Sequence, residues 1–160
     1  MSSVIILKNI ENYSPEQAVE ASKQAARRAG MFCFLLKFKY SNGNFLSAEE
    51  TLSEVDEVTF QNTENKDSLK YFTFNANNIE EDSYDSFTWL TQNKYYFWAI
   101  DIENINHEYE FIYSFVIEYF KENSEDYLWF DDDDWYYTAD DILKLSHMPY
   151  NHEWCSKKIV

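Results

Sequence analysis

Four consecutive aspartates, Asp131 to Asp134, form the densest group of ionisable side chains in this 160-residue chain. Carboxylate oxygens bind Ca²⁺ and Mg²⁺, and on a folded surface they also attract cationic partners. Metal-binding loops usually place their ligands at alternate positions and use a glycine for the sharp turn, and this run does neither. We therefore expect no metal here. A solvated turn and a partner-facing patch remain as the two interpretations of the run.

Aromatic residues flank the aspartates on both sides. In a strand, alternate members of such a flank belong to the core. The outward members would form a contact surface, where Trp and Tyr often dominate the binding energy. The candidate partner-binding residues are therefore Trp129, Asp131, Asp132, Asp133, Asp134, Trp135 and Tyr137, with Glu125 and Asp126 at the rim.

The remaining residues favour no catalytic or metal chemistry. His147, His152 and Cys155 are zinc-ligand types, but their spacing matches no common zinc motif. Phosphate-binding loops need several glycines, and the chain has only Gly30 and Gly43. The chain contains no serine-centred elbow, zincin motif or CxxC pair. We expect neither a cofactor nor an enzymatic activity.

Basic and acidic residues are unevenly distributed along the chain. Residues 1–40 carry six Lys/Arg and three Asp/Glu, whereas residues 41–160 carry seven and twenty-six. Between 101 and 141, fourteen carboxylates accompany a single lysine, Lys121. Because this stretch is also rich in aromatic residues, it is not a disordered acidic tail. A folded surface of one sign steers a cationic partner towards it.

Composition limits the remaining possibilities. The length predicts a single domain over residues 1–160. No apolar run is long enough to span a membrane, and the first residues do not resemble a signal peptide. Two cysteines, Cys33 and Cys155, indicate a reducing compartment, so we expect a cytoplasmic protein. A net charge of −16 argues against direct binding to nucleic acid or an anionic membrane.

In the first half, residues 4–7 predict a strand, and a helix is expected from the Ser14 cap to Gly30. Residues 32–40 alternate, which places Phe32, Phe34, Leu36, Phe38 and Tyr40 on one face of a strand and Lys37 and Lys39 on the other. Asn42-Gly43 predicts a hairpin turn. For residues 47–60, a short helix through Val55 competes with a strand over 55–60.

In the second half, residues 70–75 alternate as a strand, and residues 95–102 are the best candidate for a central strand. Residues 77–86 are interpreted as a loop or short helix. A helix is expected over 108–122, followed by a hairpin with an acidic tip and a helix capped by Thr138. The expected fold is α+β, with a mixed or antiparallel sheet packed by about three helices.

One stretch resembles a known class of proteins. The apolar run of residues 111–123, the aromatic segment 126–130, the aspartate run, Trp135–Thr138 and Asp140–Lys144 resemble small bacterial immunity proteins. Such proteins neutralise cognate toxins of contact-dependent growth inhibition or polymorphic toxin systems. The resemblance implies a cytosolic protein with no activity of its own that binds a toxin domain, often a basic nuclease. It carries over no individual functional residue.

Three functions follow from these observations. The leading hypothesis is an acidic inhibitor that covers the active or substrate-binding site of a basic toxin. The alternative is a DNA mimic of the anti-restriction or anti-CRISPR type, which would use the same electrostatics along an extended face. The third, an enzyme or small-ligand binder, would need a deep pocket with convergent polar groups.

Overall fold

The computed structural model describes residues 3–79, 95–103, 108–131 and 133–160. These residues form seven strands: β1 (Val4–Asn9), β2 (Phe32–Ser41), β3 (Asn44–Ser53), β4 (Tyr71–Asn77), β5 (Tyr96–Glu103), β6 (Tyr127–Phe130) and β7 (Tyr136–Thr138). They also form four α-helices: α1 (Pro15–Arg28), α2 (Glu57–Asn62), α3 (Tyr109–Glu122) and α4 (Ala139–Ser146). Two 3-10 helices cover Ile10–Asn12 and Lys66–Ser68. Most of the expected loop at 77–86 lies outside the described residues.

The strands form one antiparallel sheet in the order β2-β3-β4-β5-β1-β6-β7. The α+β prediction is therefore confirmed, as is the central position of β5. Three helices, α1, α3 and α4, supply buried side chains to the core on one face of the sheet. Strand β1 lies between β5 and β6, and its residues Val4 to Leu7 are fully buried.

The core on the helix side is largely aromatic. Phe72 and Phe74 of β4 contact Phe115 of α3 with ring centroids 5.3 and 5.9 Å apart. Small residues of α1, Ala18 and Ala25, are fully buried against the same core. Their size lets the helix approach the sheet closely.

Local signals set most element ends. Ser14 accepts a hydrogen bond from the Gln17 N–H at the start of α1, and Gly30 follows the helix with φ +75°. Thr138 and Asp141 form a reciprocal capping box at the start of α4. No helix among the described residues is long and apolar enough to cross a membrane.

Two expectations about the first half are wrong. Neither the short helix through Val55 nor the strand over 55–60 is found. Residues 47–53 continue β3, and α2 begins only at Glu57, because Asp56 caps it by accepting from the Thr59 N–H. In β2, the register shifts between Phe34 and Lys37, where Leu35 has φ +57°. This β-bulge places Lys37 on the same face as Phe34, instead of the opposite one.

A buried carboxyl lies between α1 and β3. Glu50 is 1% exposed, and Ser22 Oγ can donate either to one of its oxygens or to the Val19 carbonyl oxygen 2.7 Å away. Because the Ser22 hydroxyl has only one proton, both contacts are satisfied together only when Glu50 is protonated and donates to Ser22. Burial raises the pKa of Glu50 to about 7. The hydrogen bond with the Cys33 thiol and the charge of Lys23 lower this pKa, and the charge of Glu20 raises it, all by smaller amounts.

The raised pKa makes stability depend on pH. Between pH 4.5, the ordinary value, and about 7, the unfolded chain releases this proton while the folded chain retains it. The free energy of unfolding therefore falls by about 3 kcal/mol across this window as pH rises. We expect Glu50→Gln, which can donate to Ser22 without ionising, to remove this loss. Urea unfolding of both proteins at pH 5 and pH 8 checks this prediction. An equal change in the free energy of unfolding between the two pH values in both proteins would contradict it.

Candidate partner-binding surface

The sheet face opposite α1, α3 and α4 carries a second aromatic cluster. Ile5 and Leu7 of β1 form its floor, with Tyr96 and Trp129 buried beside them. The half-buried side chains packed against this floor are Trp98, Tyr127 and Tyr136. We call the set Tyr96, Trp98, Asp101, Tyr127, Trp129, Asp131 and Tyr136 the aromatic–acidic surface.

The rings of this surface run across three strands in edge-to-face contacts. Tyr96 and Tyr127 have ring centroids 4.9 Å apart, and Tyr127 and Tyr136 are 5.1 Å apart. Trp98 and Trp129 meet at 5.7 Å. Such pairs are favourable in themselves and hold each ring in a fixed orientation. The surface is therefore preorganised before any partner arrives.

Asp101 is the best-positioned carboxylate on this surface. It accepts hydrogen bonds from Trp98 Nε1 and, at 2.9 Å, from Asn77 Nδ2. Burial raises its pKa, and the charge of Asp131 raises it further, while the two hydrogen bonds lower it. Asp101 and Trp98 line a groove of about 490 Å³ with Leu46, Ser47, Asn77, Asn78 and Phe97. No Lys or Arg of the described residues pairs with Asp101 or Asp131.

The hairpin of β6 and β7, with Asp131–Asp134 at its tip, joins this surface at one end, and we call it the acidic hairpin. The Asp131 N–H donates to the Ser3 carbonyl oxygen at 3.2 Å, which ties the tip to the start of β1. Trp129 Nε1 donates to the Asp133 carbonyl oxygen at 2.8 Å. Asp134 is exposed, and Asp132 lies outside the described residues. The predicted hairpin with an acidic tip is confirmed by the pairing of β6 with β7.

A lysine of this chain already contacts the surface. Lys158 Nζ lies 5.7 Å from the centroid of the Tyr136 ring and 3.7 Å from Asp141 Oδ2. An ammonium group over an aromatic face is attracted by the ring quadrupole. The contact shows that the edge of this surface accommodates a cationic side chain.

The structure does not bring the three predicted aromatic residues together. Trp129 is paired with Tyr136, and both face away from the helices. Tyr137 is fully buried on the helix side, and Trp135 packs against that core. The Tyr137 hydroxyl lies 2.9 Å from the Trp154 carbonyl oxygen and accepts the Ile159 N–H at 3.1 Å. Tyr137 thus anchors the C-terminal segment to the sheet.

The two predicted rim residues have different environments. Glu125 is exposed, whereas Asp126 is 6% exposed and forms an ion pair with Lys8 at 2.7 Å. The Tyr119 hydroxyl donates to the same Asp126 oxygen at 2.8 Å. Burial raises the pKa of Asp126, and Lys8 opposes that effect. The arrangement joins β1 to α3 and to the start of β6.

Sequence reasoning missed Tyr96, Trp98, Asp101, Tyr127 and Tyr136 as members of the surface. The first three lie in β5, which reads as a continuous apolar run with no period to show which side chains share a face. A bulge opposite Ile6 and Leu7 further shifts the alternation within β5. The one available signal was Asp101, a carboxylate within an otherwise apolar run.

Neither a cluster of metal ligands nor a comparison with known proteins identifies a function for this surface. In the described part of the chain, no group of three or more His, Cys, Asp or Glu side chains could hold a metal ion. No protein-family model matches the chain, and no curated protein or solved structure matches it.

The geometry of Asp126 predicts a structural effect. Asp126→Ala should lower the free energy of unfolding by about 3–5 kcal/mol, because it leaves the Lys8 ammonium partly buried without its partner. The matched control is Glu125→Ala at the exposed neighbour, which should change stability by less than about 0.5 kcal/mol. Urea denaturation of the two variants tests this, and equal effects would show that the ion pair is not important for the fold.

Proposed function

We propose that this protein is a non-catalytic inhibitor that neutralises a cationic partner, and that the partner is a cognate bacterial toxin domain such as a nuclease. The observation that carries the proposal is Asp101, a carboxylate held by two hydrogen bonds beside Asp131 within a preorganised aromatic surface. Neither carboxylate has a Lys or Arg partner among the described residues. A lysine or arginine of the toxin would supply that partner in the groove beside Trp98.

Charge and aromatic packing would contribute to binding in different ways. The chain's net charge of −16 accelerates the encounter with a basic protein, and this effect weakens as salt increases. Once the complex forms, buried aromatic anchors such as Trp98 slow its dissociation. The carboxylates would pair with the cationic side chains that a nuclease uses to hold phosphates. We place this inhibition in the cytoplasm, where the toxin would act.

Identification of the partner comes first. The tagged protein is used to capture partners from its native cytosol at low and at moderate salt, followed by mass spectrometry. A single basic toxin domain retained at moderate salt is the result expected. Capture of restriction, CRISPR or other DNA-handling proteins would instead support the DNA-mimic alternative.

The acidic hairpin should control the association rate. Replacing Asp131–Asp134 with asparagines should lower the association rate about 10-fold or more at low salt and reduce its salt dependence, with little effect on the melting temperature. The control removes four exposed acids elsewhere, Glu16, Glu57, Glu64 and Asp67, and so makes the same change in net charge. Surface plasmon resonance measures both. Unchanged binding together with a lower melting temperature would exclude the hairpin from the interface.

Asp101 should make partner binding sensitive to acidic pH. Because its pKa is raised, Asp101 gains a proton at a higher pH than an ordinary aspartate, and affinity should fall as pH decreases into that range. We expect Asp101→Asn to bind more weakly at neutral pH and to show a flatter pH dependence. The asparagine oxygen can still accept from Trp98 Nε1, and its amide can donate to Asn77 once the Asn77 side chain presents its oxygen. Titration calorimetry across pH tests this, and an unchanged pH profile would contradict it.

A further inference from the structure

The β2–β3 hairpin carries most of the exposed apolar side chains of the described residues. Among the residues that the structure describes, nine large hydrophobic residues are at least 40% exposed, and five of them lie between residues 32 and 46. These five are Phe32, Leu36, Phe38, Tyr40 and Leu46. We call residues 32–46 the hairpin arm. The pairing with β3 places Phe32 on the opposite face from Phe38, so the apolar group that marks an interaction surface is centred on Phe38 and Tyr40.

The arm has an aromatic centre at the edge of the sheet. Phe38 is 53% exposed and Tyr40 63% exposed, and both rings contact Phe45, with centroids 6.2 and 5.8 Å apart. Among the described strands, β2 pairs with β3 alone. Its register shifts after Phe34 and again after Lys39, which interrupts continuous pairing with another strand. A contact here would rest mainly on side-chain packing.

The arm differs in charge from the rest of the chain. It contains Lys37 and Lys39 and no carboxylate, so the other residues carry a net charge of −18 when these two lysines are subtracted from −16. Lys39 is paired with Glu49 at 2.6 Å, which leaves Lys37 as the remaining cation of the arm. A nearly neutral apolar surface gives little attraction for a strongly charged partner of either sign. It is also where two copies of this acidic chain repel each other least.

We propose that two copies of this chain associate arm to arm around a two-fold axis. The same patch on each copy would bury Phe38, Tyr40 and Leu36 against its equivalent. The acidic hairpin lies at the other end of the sheet, six strand spacings or about 29 Å away. The dimer would therefore keep the two acidic hairpins apart. Leu46, the residue of the arm that lines the groove beside Asp101, is not among the three side chains buried in this contact. This inference does not depend on the proposed function.

Salt should strengthen this contact, whereas it should weaken the binding of a cationic partner. Screening weakens the repulsion between two chains of charge −16, so dimerisation should strengthen as ionic strength rises. Sedimentation equilibrium of the full chain over a range of concentrations, at low and moderate salt, measures this. A dimer that tightens with salt is expected. A monomer under all conditions, or an open-ended series of oligomers, would overturn the proposal.

Substitution on the arm separates this contact from a general surface effect. The double variant Phe38→Glu/Tyr40→Glu should dimerise at least about 10-fold more weakly, because it places carboxylates at the centre of the contact. The control is Val58→Glu on α2, where the side chain is 70% exposed, and it should dimerise like the parent chain. Equal weakening in both variants would overturn the proposal. Near-UV circular dichroism shows whether the double variant is folded.

Hydrogen exchange of the unmodified chain tests the same contact without substitution. Backbone amides of β2 should become more protected as protein concentration rises, whereas those of β7 should not change. Concentration-independent exchange of β2 would overturn the proposal. The double variant should still bind the partner of the aromatic–acidic surface, so failure of dimerisation and failure of inhibition are separate results.

Discussion

The burial of β1 between β5 and β6 is the constraint on which the rest of the structure depends. Val4 and Ile6 face the helices, while Ile5 and Leu7 form the floor of the aromatic cluster. One strand therefore serves two cores. Because β1 pairs with both neighbours, it also sets the distance between Asp101 on β5 and the acidic hairpin that follows β6. Without β1, the two parts of the aromatic–acidic surface would not be adjacent.

Charged groups act differently according to their burial. Asp126 is enclosed with Lys8 and Tyr119, and it connects elements of the fold. Asp101 is half-buried and oriented by neutral donors, so its charge remains available to a partner. Glu50 is enclosed near Ser22, and burial raises its pKa to about 7, so it titrates near neutral pH. Three carboxyls of similar chemistry thus have a structural, a proposed binding and a titrating role because their neighbours differ.

Local patterns in the sequence predicted most elements but only part of the surface. Caps at Ser14 and Thr138, and the Asn42-Gly43 turn, act over a few residues and could be read directly. The bulge at Leu35 has no comparable signal, so the faces of β2 were assigned incorrectly. The surface itself depends on which strands are neighbours. Strand order is decided by packing over the whole chain, and periodicity carries no information about it.

The position of β1 also bears on how the chain reaches this structure. Strands β2, β3 and β4 are joined in sequence order and can pair through local contacts soon after they are made. Strand β1 can pair only with β5 and β6, which lie some 90 and 120 residues later in the chain. Such long-range pairing slows folding, because a large loop is closed before its contacts form. Until then β1 is an apolar segment without its neighbours, and folding is most open to aggregation at this stage.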